Sequence, residues 1–177
     1  MKKTLVVALA LASTLTACSS DDNKDKVAQG PTPTDSAATS STSCTPSGTG
    51  TTDLKKKPEI TVPKTPAPAE TQVIDIVCGT GAEAKDGSQV TGKYVGVLYA
   101  DGKEFDSSWK VSPDYTFDFT VGGNVIPGFS IGAKGMKVGG RREVIIPAKD
   151  GYGASGYPPD IPGDAALIFV IDLVAVS

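Results

Sequence analysis

The groups in this chain that could act on a ligand are two phenols, Tyr94 and Tyr152, one carboxylate, Asp106, set between Phe105 and Ser107-Ser108, and a series of apolar side chains. The apolar series is Phe105, Phe117, Phe119, Val125, Ile126, Phe129, Ile161 and Phe169. A carboxylate among apolar neighbours needs a donor to satisfy it, and a phenol can supply that bond or offer one to a ligand carbonyl. Such a set binds and orients without breaking bonds. The chain contains no histidine. That removes the usual base near neutral pH, the commonest metal ligand and every nucleophile built on a Ser-His or Cys-His pair.

Two short motifs suggest other chemistry and fail on context. Gly128-Phe129-Ser130-Ile131-Gly132 has the form of a serine-hydrolase elbow. That elbow needs a histidine and a strand directly before it, whereas Pro127 here opens a helix. Gly151-Tyr152-Gly153-Ala154-Ser155-Gly156 has the form of a dinucleotide loop. Its last glycine must start a helix that meets the pyrophosphate, and Tyr157-Pro158-Pro159 forbids one. No cofactor is implied. Cys18, Cys44 and Cys78 are widely spaced and form no CxxC pair, so the sequence describes no metal site.

The elements that must position the phenols and the carboxylate begin at Gln72. From there, short alternating runs separated by Gly, Pro and Asp predict antiparallel strands near 72–78, 89–99, 103–107, 115–121, 141–147 and 166–174. Asp101-Gly102 reads as a type I′ hairpin turn. In Tyr115 to Val121 every second residue is aromatic or apolar, which puts Phe117 and Phe119 on one face. Only Gly128 to Lys137 reads as helical. One short helix cannot cover a flat sheet, so the expected α+β fold is a curved antiparallel half-barrel wrapped around it.

Ahead of that domain, Met1-Lys2-Lys3, the apolar run Thr4 to Thr14 and the small-residue site Leu15-Thr16-Ala17 form a signal peptide over 1–17. Leu15-Thr16-Ala17-Cys18 resembles the lipobox of bacterial lipoproteins, which implies a lipid anchor on Cys18. Residues 18–71 are rich in Ser, Thr and Pro with few large apolar side chains, the composition of a disordered tether. Export would place Cys44 and Cys78 in an oxidising compartment. A disulfide between them would hold the strand-like piece Glu59-Ile60-Thr61-Val62 beside the domain, and two free thiols are the alternative. The 17 Lys and Arg against 20 Asp and Glu form no basic stripe, which argues against nucleic acid as a partner.

Five ordered blocks are similar to the FKBP family, the macrolide-binding peptidyl-prolyl isomerases: Gly92 to Leu98, Asp101 to Ser108, Val125 to Phe129, Gly135 to Arg142 and Gly151 to Gly153. The resemblance runs from about Gln72 to Val176. It implies a half-barrel around a short helix, with a proline socket between them. Phe129 takes the pocket floor, where the best-known members have tryptophan. Tyr94, Phe105, Phe117, Phe119, Val125, Ile161 and Phe169 are implied as walls. The resemblance makes the Ile126 N–H and the Tyr152 hydroxyl donors to a substrate carbonyl, and Asp106 the pocket carboxylate that accepts from Tyr94.

The implied partners are proline-containing segments of exported proteins, macrolide inhibitors, and a membrane reached through the anchor, with the protein a monomer. Two departures stand out: the stretch from Trp109 to Thr116 is longer than in compact members, and it lacks the arginine that often pairs with the pocket aspartate. Lys110 is the candidate replacement. The rival functions are a chaperone module that grips proline segments without turning them over, and a surface interaction protein whose pocket serves a partner. The short run from Tyr152 to Ile161 leaves no room for an inserted chaperone domain.

Overall fold

The computed structural model describes residues 44–177. The signal peptide and Cys18 lie outside the described residues. Six strands form one antiparallel sheet: β1 (Gln72–Val77), β2 (Gln89–Leu98), β3 (Glu104–Ser107), β4 (Phe117–Thr120), β5 (Arg141–Ile146) and β6 (Leu167–Val176). Their order is β1-β5-β6-β2-β3, and β4 also pairs with β2. The start of β2, from Gln89 to Gly92, pairs with β4, while Val95 to Val97 pair with β3. Register shifts interrupt β1/β5, β2/β3 and β2/β6. Each is a bulge that adds local twist, so the sheet bends.

The helix α1 spans Pro127–Ala133, shorter than the expected run to Lys137. Lys134 leaves helical geometry with ψ 131°, and Gly135 takes φ +76°, a left-handed turn that glycine adopts without a Cβ clash. Proline at the first turn costs nothing there because its missing N–H would have no helical acceptor. The helix lies against β5 at backbone range. A Cβ on Gly128 would sit 2.3 Å from Ile146, and one on Gly132 would sit 2.4 Å from Val144.

Between helix and sheet lies one core that includes Val90, Phe119, Phe129, Val144, Ile146, Leu167, Phe169, Ile171 and Leu173. A second cluster, Val95, Val97, Tyr99, Ile145 and Ile168, lies on the opposite face. From Leu167 to Leu173 every residue of β6 is buried, which a strand with one solvated face cannot be.

What covers the second face corrects the expectation of a disordered tether reaching residue 71. Residues 44–71 lie across the sheet as a strap. Cys44 and Cys78 are joined in a disulfide, and the Ser47 and Gly48 amides donate to the Asp75 carbonyl at 2.9 and 3.0 Å. Arg141, 0% exposed, donates from Nε and Nη2 to both oxygens of Asp172 at 2.5 and 2.6 Å. The same guanidinium donates to the carbonyls of Thr51 at 2.6 Å and Lys56 at 3.0 Å. Ile60 and Val62 pack on the second cluster, and the Tyr99 hydroxyl donates to the Thr65 carbonyl at 3.1 Å. Composition missed much of this because the Asp75, Arg141 and Tyr99 bonds go to the strap's main chain, which is the same for any residue.

The turn at Asp101-Gly102 also differs from the expected type I′. That type requires positive φ at both central residues, and only Gly102 has it, at +74°. The Gly102 amide instead donates to Leu98 O at 2.9 Å, and Asp101 Oδ1 accepts from the Lys103 amide at 2.9 Å.

Candidate functional site

Two neighbouring strands bring the phenol and the carboxylate together. Gly96 pairs with Asp106 and Val95 with Ser107, which puts the Tyr94 ring from β2 within reach of the end of β3. The Tyr94 hydroxyl donates to Asp106 Oδ2 at 2.5 Å, and Asp106 Oδ1 accepts from the Ser107 amide at 2.8 Å. Burial pushes the Tyr94 phenol well above the ordinary tyrosine range, and the hydrogen bond to Asp106 adds to the shift. Tyr94 therefore stays a neutral donor.

The serines after Asp106 do work that the sequence reading did not assign. The Tyr94 amide donates to Ser108 Oγ at 3.0 Å. The Ser107 and Ser108 hydroxyls donate to the Tyr94 carbonyl at 3.2 and 3.3 Å. Both are buried, so the chain leaving β3 is bonded to the residue that supplies the phenol. A hydroxyl pair directly after a pocket carboxylate was the available signal. Lys110 does not replace the missing arginine: its Nζ lies 3.6 Å from Glu104 Oε1 and donates to the Phe105 carbonyl at 3.4 Å.

The apolar part of the site is a set of rings meeting edge to face, the arrangement their quadrupoles favour. Phe169 lies 5.5 Å from Phe105 at 82° and 5.2 Å from Phe129 at 89°. Phe129 also meets Tyr94 at 6.0 Å and Phe119 at 5.1 Å. Gly96 makes the first contact possible: a Cβ there would lie 2.7 Å from Phe105 and 2.8 Å from Phe169. Phe117 and Phe119 stack at 5.6 Å on their shared face of β4.

These rings surround a cavity of about 490 Å³ lined by Tyr94, Phe105, Asp106, Phe117, Asn124, Val125, Ile126, Phe129, Tyr152 and Phe169. Phe119 and Ile161, each 2% exposed, are not in the lining and belong to the core behind it. Alternation told which face Phe119 occupies but not how deep it lies. Asn124 was missed. Its Oδ1 accepts from the Thr120 amide at 2.9 Å and so ties the turn after β4 to the strand.

The Ile126 N–H and the Tyr152 hydroxyl, both at the cavity, have no protein acceptor among the described residues, and neither has the Asn124 side-chain amide nitrogen. Ile126 precedes the helix, and its own carbonyl accepts from the amides of Phe129 and Ser130 at 3.0 and 3.2 Å. Tyr152 stands 5.6 Å from the exposed Tyr157 ring. Burial, then the charge of Asp106, raises its phenol above the ordinary range. The site thus offers an apolar hollow with these donors and one satisfied carboxylate. It can strip water from a small ligand and hold its carbonyls.

The profile of the FKBP-type peptidyl-prolyl cis-trans isomerase family matches residues 81–174. An FK506-binding protein of Streptomyces anulatus is 46% identical over 123 residues, covering 68% of this chain and 98% of that protein. Among solved structures, FkpA from Escherichia coli superposes with a TM-score of 0.55 at 36% identity, over 60% of this chain and 48% of that one. A peptidyl-prolyl cis-trans isomerase from Pseudomonas syringae pv. tomato gives 0.54 at 32% identity, over 60% and 75%. The chain belongs to the FKBP-type peptidyl-prolyl cis-trans isomerase family and is an enzyme of that class.

Proposed function

We propose that this isomerase turns X-Pro bonds in the cavity over Phe129, and that the Ile126 N–H and the Tyr152 hydroxyl bind the carbonyls on either side of the bond. The observation that carries this reading is the pair of unpartnered donors at the mouth of an otherwise apolar hollow. Rotation about a peptide bond meets a barrier of about 18 to 20 kcal/mol, which comes from amide resonance. Water on the carbonyl strengthens that resonance. A pocket that removes the water, holds the pyrrolidine ring among Tyr94, Phe117, Phe129 and Phe169, and fits the twisted imide better than either planar form lowers the barrier by differential binding. Each ~1.4 kcal/mol of preference gives about tenfold in rate. No proton need move. Asp106 serves by fixing the Tyr94 ring and by setting the field across the cavity.

FK506-type macrolides, which the name of the Streptomyces relative says it binds, fit the same hollow. The protein acts as an exported lipoprotein: the lipobox-like run before Cys18 supports an anchor, and the clients are then proline-containing segments of exported proteins met by a monomer at the membrane surface.

A protease-coupled assay on a proline peptide tests the site. Asp106→Ala should lower kcat/KM about tenfold by leaving the Tyr94 hydroxyl without its acceptor. Tyr152→Phe should lower it about 2- to 10-fold, the worth of one hydrogen bond. Macrolide should block both the wild type and the residual activity. Macrolide binding with no rate enhancement would favour a proline-gripping module instead. For the anchor, a Cys18→Ala variant should leave the membrane fraction, and an unchanged fraction removes that part of the proposal.

A further inference from the structure

β3 is the weak point of the pocket. It has four residues, stands at the end of the strand order and pairs with β2 alone, yet it carries both Phe105 and Asp106. A short edge strand with one partner is the kind of segment that opens locally. The strap meets β3 itself at Glu104 and reaches the residues just before and just after the strand. Lys57 Nζ lies 2.6 Å from Glu104 Oε2. Val62 Cγ2 stands 3.1 Å from where a Cβ on Gly102 would be. Ile60 and Val62 share the second cluster with Trp109, in the 3-10 turn Ser108–Lys110 that follows β3. At its other end the strap is fixed by the disulfide and by the buried Arg141.

The geometry points to the strap segment from Lys57 to Val62 as a positioning element for the isomerase site: it holds β3 against β2 from the face opposite the pocket and so sets where Phe105 and Asp106 stand. This rests on the pocket assignment above. Ile60, Val62 and Lys57 touch no ligand. They act through β3, by closing the face of the hairpin that the pocket rings do not cover. A positioning role differs from plain stabilisation because its loss is felt at Asp106 while the rest of the sheet stays folded.

The test uses the full chain in four forms: wild type, Ile60→Ala/Val62→Ala, Asp106→Ala, and the three substitutions combined. Truncating the strap side chains should lower kcat/KM about three- to tenfold at a temperature where circular dichroism shows the sheet intact. It should cost less once Asp106 is already Ala, since residues acting through one another are not additive and only the displacement of Phe105 remains to be felt. Amide exchange should rise at Phe105 and Asp106 and stay unchanged from Val144 to Ile146. Wild-type kcat/KM in the truncated form, or an equal fold loss in both backgrounds, overturns the inference. If the truncated protein does not fold, Lys57→Glu gives the same reading: activity should fall and amide exchange rise at Phe105 and Asp106 while circular dichroism shows the sheet intact, and wild-type activity or unchanged exchange overturns it. An Asp106→Ala variant with full activity would instead sink the pocket assignment, and exchange at Phe105 would still decide the role of the strap.

Discussion

On its helix face the sheet meets a seven-residue helix and a layer of aromatic rings, and it keeps an opening among them. On its strap face a segment with almost no regular structure closes the surface with aliphatic side chains, a buried ion pair and main-chain carbonyls. One face is sealed by shape and left incomplete; the other is sealed by polar bonds and completed. The difference shows where specificity and where stability come from. A ligand can replace missing apolar contacts, but it cannot replace the acceptors of a buried guanidinium.

The largest effect should come from breaking the polar seal. Arg141→Ala leaves Asp172, 3% exposed, without its partner and frees the strap carbonyls, which should cost about 3 to 5 kcal/mol of unfolding free energy. Urea denaturation measures it. A loss under about 1 kcal/mol would mean that the strap is held by its other contacts, the disulfide and Ile60 and Val62 among them, without the guanidinium. On the helix face, Gly132→Ala forces a methyl to within 2.4 Å of Val144 and should cost about 1 to 3 kcal/mol. It should also weaken macrolide binding, since it displaces the helix that carries Phe129.

A smaller effect sharpens the contrast in charge. Glu143 alternates along β5 with Arg141 and Ile145 and so faces the strap, and burial raises its carboxyl above the ordinary range. The folded protein then binds this proton more readily than the unfolded chain, so the Glu143 contribution favours folding at low pH and is lost as pH rises through the raised value. Glu143→Gln should add up to about 0.5 kcal/mol at neutral pH and flatten the fall in stability as pH rises from the ordinary glutamate value through the raised one. With no histidine in the chain and both pocket phenols raised, kcat/KM should show no loss from phenol ionisation up to about pH 10, the ordinary tyrosine value.

The two faces also differ in how far the sequence revealed them. The strands came through because alternation such as Phe117-Asp118-Phe119 is a local pattern, and the pocket because Tyr94, Phe105, Asp106, Phe129 and Tyr152 fall in ordered blocks. Depth did not come through. Phe119 and Phe117 share a face, yet only Phe117 reaches the cavity, because alternation gives the face of a residue and not its depth in the packed fold. The strap was illegible for a different reason: Thr51, Asp53 and Lys56 contribute carbonyls, and their side chains give no sign of it. The 3-10 turns at 108–110, 148–150 and 153–155 were missed as well, since one turn leaves no periodicity to read.

The two glycines of the helix have a mechanical consequence. With Gly128 and Gly132 against the Ile146 and Val144 side chains, the helix backbone rests directly on the sheet's side chains, with none of its own between them. The floor ring, Phe129, rides on that helix, so it behaves as a stop and not as a spring. In the proposed function, an imide that twists above it would then take up the deformation itself, along its soft coordinate, the bond being turned.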